Sequence, residues 1–196
     1  MYGFRKDGEW YFIEKNSKVL TTPMGQPVKT RNMALAERLV ADLGKYGESP
    51  SDPVSIVAFH YAMLDFFSTV PRRELESNVA IGLDPENDWT FDCPAAPELK
   101  MKWMANFAKH YSNTQPGKKW LSTLSTMQLC AVCVIGRALE SVNIPFIVAT
   151  TLPPDQIAGF AKTIHAFYPY VGTKEIKQYL ENFLFYFGIE NESEKK

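Results

Sequence analysis

Apolar residues recur along this chain with two different spacings, and the change from one to the other falls at Thr30. Before it, Glu9 to Ile13 (EWYFI) reads as a β-rich run and Asn16-Ser17 as a turn. Lys18 to Thr22 then reads as a second strand, and Pro23-Met-Gly25 as another turn before Gln26 to Lys29. These pieces predict a small antiparallel β-meander. After Thr30, Met33, Leu35, Ala36, Leu39, Val40 and Leu43 fall at helical spacing, with Thr30 or Asn32 to cap the helix and Gly44 or Gly47 to end it. A cap residue directly after a strand satisfies the orphan amides of the first helical turn, so an abrupt change of period is locally favourable.

Helical spacing continues for most of the remaining chain. Val54 to Thr69 predicts a second helix with Ile56, Val57, Phe59, Met63, Leu64 and Phe67 on its apolar positions, stopped by Pro71. Arg72 to Gly82 predicts a short third one, and Leu83 to Asp92 a polar, aromatic-dotted connection or short strand. Further helices are expected at Pro97 to Ser112, Lys118 to Ser141, Pro154 to Tyr168 and Thr173 to Gly188. The breaks fall at Gln115 to Gly117, Pro145, Pro153-Pro154 and Tyr168 to Gly172. This order predicts an α+β fold, a small N-terminal antiparallel β-meander followed by a mainly α-helical domain. The dividing line is drawn at 1–90, β-rich with two to three helices, and 91–196, helical. The tail from Glu190 is charged and expected to fray.

Composition narrows the functions this fold could serve. With 196 residues, 45% of them hydrophobic, the chain can bury a sizeable core. A formal charge of −1 gives no basic field for nucleic acid or an anionic membrane. The longest apolar run, Met127 to Ile135, is far short of the roughly 20 residues a membrane helix needs. A soluble protein without a transmembrane segment is expected. Cys93, Cys130 and Cys133 are odd in number and lack framework spacing, which points to a reducing compartment.

Catalytic chemistry is hard to place. Cys130-Ala-Val-Cys133 has the spacing of half a metal or redox site, but it lies in an apolar helical run without a second pair, so two buried thiols are expected. His60 with Asp65, or His165 with Glu175, could form a general-base pair, and a small His/carboxylate hydrolase is the enzymatic alternative; His110 stands apart. No nucleophile motif accompanies either pair. Asp84 to Asp88 lacks the glycine and terminal glutamate of a calcium loop and reads as solvated charge, with Asp92 beyond it. Lys118-Lys119-Trp120, with Lys100 and Lys102, is a weak RNA-contact pattern. No catalytic, cofactor-binding or metal site is assigned, and the chain is read as non-enzymatic.

The stretch Thr22-Pro-x-Gly25-x-Pro27, followed by Thr30-Arg31 and Ala34-Leu-Ala36-Glu37, resembles the amino-terminal region of the ATP synthase assembly chaperone family, which escorts the α subunit of the catalytic head. Ser51 to Ala58 is similar to the family's next helix. Phe91 to Cys93 and Ala96 to Leu99 leading to Trp103 resemble a family strand and the long helix after it, and Trp120 to Glu140 resembles its buried Leu-Thr-rich helix. In place of the family's acidic, Trp-containing carboxyl-terminal segment, this chain has Asn143 to Pro154, then Tyr168-Pro-Tyr170 and Phe183 to Phe187. The resemblance implies a protein partner, the ATP synthase α subunit or subunits of a large complex, and no cofactor. It implies the mitochondrial matrix or the matrix face of the inner membrane in a eukaryote, and the cytoplasm in a bacterium. A permanent structural subunit built on the same fold is the alternative.

An assembly factor needs a partner surface rather than a triad. Phe183, Phe185, Tyr186 and Phe187 cannot all face one side of a helix, because successive residues step about 100°. They are the partner-binding candidates, against the alternative of a helix enclosed by its own fold.

Overall fold

A computed structural model describes residues 1–49, 53–83, 88–91 and 118–189, with positions 97, 98, 101 and 105. The expected helix at Pro97 to Ser112 falls mainly outside these residues. So do Asp84, Glu86, Asp92, Cys93, Lys100, Lys102, His110 and the tail.

The alternating pattern begins at the amino terminus. β1 (Tyr2–Asp7) pairs antiparallel with β2 (Trp10–Lys15), with Tyr2 opposite Lys15 and Asp7 opposite Trp10. At the next turn Asn16 and Ser17 have φ of 50° and 63°, the left-handed pair that a tight hairpin requires, and β3 (Lys18–Val19) returns beside Lys15 and Glu14. β4 (Lys29–Thr30) pairs with β2 further along, at Phe12 and Tyr11. Between these pairings three segments close on one another. Leu20 N–H donates to Ile13 O (2.8 Å), Val28 N–H to Leu20 O (2.9 Å) and Ile13 N–H to Val28 O (2.9 Å). The side chains of all three residues are buried. The sheet therefore curls at this corner and sends Thr21 to Pro27 toward the helices.

Of the two candidate caps, Asn32 is used: its side chain accepts from Leu35 N at 3.0 Å and starts α1 (Met33–Tyr46). Of the two glycines, Gly47 ends it, with φ of 82° and its N–H on Leu43 O. α2 (Ile56–Ala62) begins at the Ser55 cap and widens into a π-helical turn, Met63–Phe67, before Pro71. The expected single helix from Val54 to Thr69 is thus shorter and changes pitch. α3 (Arg72–Gly82) follows, then a 3-10 turn at Trp89–Phe91.

The helix expected across Lys118 to Ser141 is two, α4 (Lys118–Leu121) and α5 (Thr126–Ala138). The reason is local: Ser125 and Gln128 form a reciprocal capping box that starts a new helix where continuation was expected. A second difference is α6 (Asn143–Thr150), a helix that runs through Pro145, where a break is expected. Pro145 sits in the first turn, where its missing N–H would have had no intrahelical partner anyway. A 3-10 turn at Pro154–Gln156 leads into α7 (Ile157–Phe167), and α8 (Thr173–Gly188) has the bounds its spacing predicts.

The result is an α+β fold in which a four-stranded antiparallel sheet precedes a mainly helical region. α8 packs against α7, α5, α6 and α2, while α1 packs on β1, β2 and α2. One hydrophobic core runs from Ile13 to Ile189, and residues on both sides of the line drawn at 90/91 contribute to it.

Buried polar groups tie the layers together. Asp42 on α1 accepts from Ile56 N (2.7 Å) at the start of α2 and from Arg38 Nε (3.1 Å). Arg38 reaches across to Asn182 Oδ1 on α8 (3.0 Å), and Asn182 Nδ2 donates to Pro53 O (2.9 Å). Asp42→Ala strips the first-turn acceptor from α2 and a partner from Arg38 at a buried site. It is expected to lower unfolding free energy by about 2 kcal/mol in urea titration, whereas the exposed neighbour Ala41→Ser changes it by less than about 0.5 kcal/mol.

Candidate functional site

The turn that closes the curled sheet is built from its own backbone. Thr22 N–H donates to Gln26 O (2.8 Å), Gly25 N–H to Thr22 O (2.9 Å) and Gln26 N–H to Thr22 Oγ1 (3.0 Å). Gly25 holds φ of 81°, a conformation that few residues other than glycine adopt readily. The Thr22 hydroxyl donates in turn to Asp65, which lies buried in the π turn. This contact ties the Thr22 turn to the end of α2. Beside it opens a groove of about 590 Å³, lined on the turn side by Pro23 and Met24 and on the α2 side by Tyr61, Asp65 and Phe66. Val134, Arg137 and Ala138 of α5 line it as well.

Three properties distinguish this groove. Its rim is apolar and solvent-facing, with Met24 61% and Phe66 55% exposed. Its wall contains Tyr61, only 7% exposed, whose hydroxyl has no hydrogen-bond partner among the described residues. Burial foremost, then the nearby Glu48, Tyr2 and Asp65, push this hydroxyl up to about 12, so it stays a neutral O–H at physiological pH. The third property is the π turn itself, an irregularity that recurs at functional sites.

The histidines are placed otherwise than a general base would need. His60 is buried, with Nε2 3.0 Å from Lys29 O and Nδ1 3.2 Å from Tyr186 Oη. A carbonyl only accepts, so Nε2 carries the proton and Nδ1 accepts from the tyrosine. Asp65 is engaged by Thr22 instead. His165 Nδ1 lies 2.8 Å from Val171 O, and Glu175 folds back over Gly172. Neither expected His/carboxylate pair is brought together. Cys130 and Cys133 are free thiols on α5. Burial raises Cys130 well above its ordinary value, with Cys133 adding to it, and pushes Cys133 up to about 12. Both are held as protonated, unreactive groups.

The structure corrects several expectations about surfaces. Phe183 and Tyr186 have no exposed side-chain surface and belong to the core, because α8 is enclosed by neighbouring helices on the face that carries them. Phe185 and Phe187 are half-buried. Phe185 lies under the Arg38 guanidinium at 5.8 Å, and Phe187 rests against Phe183 at 5.0 Å. Trp120 is buried edge-on to Phe146 and offers no platform for a base. Asp88 is likewise not solvated. It accepts from Thr90 N (3.0 Å), from the Ser141 hydroxyl (2.8 Å) and from Asn143 N (3.0 Å), the last at the start of α6.

Tyr61, Phe66 and Arg137 were missed in the sequence because each sits within an ordinary helical pattern. Met24 carried a usable signal, an apolar side chain at the tip of a turn otherwise built of Thr, Pro and Gly. Among the described residues no cluster of three metal-ligating side chains occurs, and no helix is long and apolar enough to cross a membrane. No family model, curated protein or solved structure matches the chain.

Two outcomes follow from the buried groups of α2. Burial lowers His60 from its ordinary 6.5 to about 4, so the unfolded chain takes up a proton first on acidification. The stabilisation is complete above pH 6.5, declines as pH falls toward 4 and is constant below that, in all about 3 kcal/mol. Urea titrations from pH 7.5 to 4 should show this slope in the native protein and lack it in His60→Gln. Tyr61→Phe removes a buried hydroxyl that has no partner, and should raise unfolding free energy by about 1 kcal/mol, a sign opposite to that of most core truncations.

Proposed function

We propose that this chain is a non-enzymatic, protein-binding assembly factor of the ATP synthase α-subunit chaperone type, which holds a subunit during complex assembly. The observation that carries the reading is the groove beside the Thr22 turn. Pro23 and Met24, inside the Thr22 to Pro27 stretch that begins the family resemblance, line an apolar-rimmed recess. Exposed Met24 and Phe66 at that rim are the kind of large, adaptable side chains that bind another chain's apolar surface. The separate placement of the histidines and the protonated state of the thiols agree with a binding role. The expected location is the mitochondrial matrix or the matrix face of the inner membrane in a eukaryote, or the cytoplasm in a bacterium.

Gentle affinity purification of the tagged native protein is the test, run beside a Met24→Asp/Phe66→Asp double variant. Unassembled α subunit should travel with the native protein at low stoichiometry and be lost from the variant, whose melting temperature should be unchanged because both positions are exposed. Recovery within one large complex at fixed ratio would mean a permanent structural subunit instead. A clean monomer in both preparations would overturn the binding reading.

A further inference from the structure

We propose that the groove selects an extended partner segment bearing a carboxylate beside apolar side chains, with the carboxylate paired to Arg137. The inference rests on the groove being the partner site, and it adds the chemistry of what is bound. Among the described residues the groove is lined by two ionic side chains, Asp65 and Arg137. The first is buried and already accepts from Thr22. Arg137 is exposed in the last turn of α5 and makes no ion pair, hydrogen bond or ring contact among the described residues. Arg5, Arg31, Arg38 and Arg72 each pair with a carboxylate of the same chain, whereas among the described residues Arg73, which is not one of the groove's lining residues, like Arg137 does not. The uncommitted charge among the described lining residues is therefore positive, and it shares the groove with Val134, Ala138, Met24 and Phe66.

A guanidinium between apolar walls is suited to a carboxylate, because its planar fork matches two oxygens and the low-polarity surroundings strengthen the pair. A single cation is too little for a nucleic acid backbone or an anionic bilayer, both of which reward many charges at once.

Tyr61 supplies the second feature. Its covered hydroxyl is a donor without an acceptor, and a main-chain carbonyl of an extended segment would satisfy it once the side chains at the groove mouth part. The cost of leaving that hydroxyl unpaired would then be relieved on binding. The groove volume of about 590 Å³ leaves room for a few residues of such a chain.

Selection of a display library of random short peptides on the full-length protein tests the inference. Enriched sequences should place Asp or Glu next to Leu, Met or Phe. For a synthesised, fluorescein-labelled winner followed by anisotropy, Arg137→Glu should weaken binding about tenfold or more, and changing the peptide's acid to Lys should restore it. Tyr61→Phe should weaken the same peptide roughly threefold without lowering the melting temperature. Enrichment without acidic residues, no enrichment, or equal affinity for the native protein and Arg137→Glu would overturn the inference. The effect of Phe66→Asp then separates the two levels. Peptides that lose affinity in Phe66→Asp but ignore Arg137→Glu leave the groove as a binding site of different selectivity, whereas peptides indifferent to both would remove the groove from the partner site altogether.

Discussion

Enclosure of α2 is the constraint on which the other features of this molecule depend. The helix lies against α1, α5 and α8, with the sheet beside it, and most of its side chains are buried. A helix so placed cannot leave its polar groups to water, and each must find a partner inside. The first-turn amide of Ile56 finds Asp42, the His60 imidazole finds Lys29 O and the Tyr186 hydroxyl, and Asp65 in the π turn finds Thr22. These bonds fix where the sheet, α1 and α8 stand relative to α2. The neutral form of His60 follows from the same enclosure, since burial penalises the imidazolium more than the one carbonyl can compensate.

Tyr61 is the exception, and it marks the groove. A ring on this enclosed helix contributes apolar contact, but its hydroxyl ends in a wall without an acceptor. Native cores contain few such groups because each costs free energy that an apolar residue of the same shape would not. Tyr61 lines the groove together with exposed Met24 and Phe66 and with Arg137, so under the proposed reading that cost is recovered on binding. Such trades of stability for binding are the usual signature of functional surfaces.

The aromatic wealth of the carboxyl-terminal helix serves the interior first. Phe183 and Tyr186 fill the space between α8 and its neighbours, with Tyr186 5.6 Å from Phe59 by ring centroids. Phe185 and Phe187 cover the edges of the same packing, Gln128 donating to the Phe187 carbonyl at 3.1 Å. Four large aromatics among five consecutive residues are thus divided between core and flank by helical geometry, with the share of each set by which neighbours surround α8.

Local sequence determined the α+β order, the hairpin at Asn16-Ser17, the bounds of α3 and α8 and the place where strand gives way to helix. Each rests on periodicity, a cap or a left-handed turn within a few residues. Tertiary structure decided the rest. Whether Thr30 or Asn32 capped α1, whether Asp88 was solvated, whether His60 met a carboxylate and whether Tyr61 found an acceptor all depended on residues distant in the chain. So did the groove, which joins a turn near residue 24 to helices near residues 62 and 136. A pattern of spacings reports which face of an element is apolar. The identity of the atom that a buried polar group meets is set by how the elements pack, and that is where the site in this protein resides.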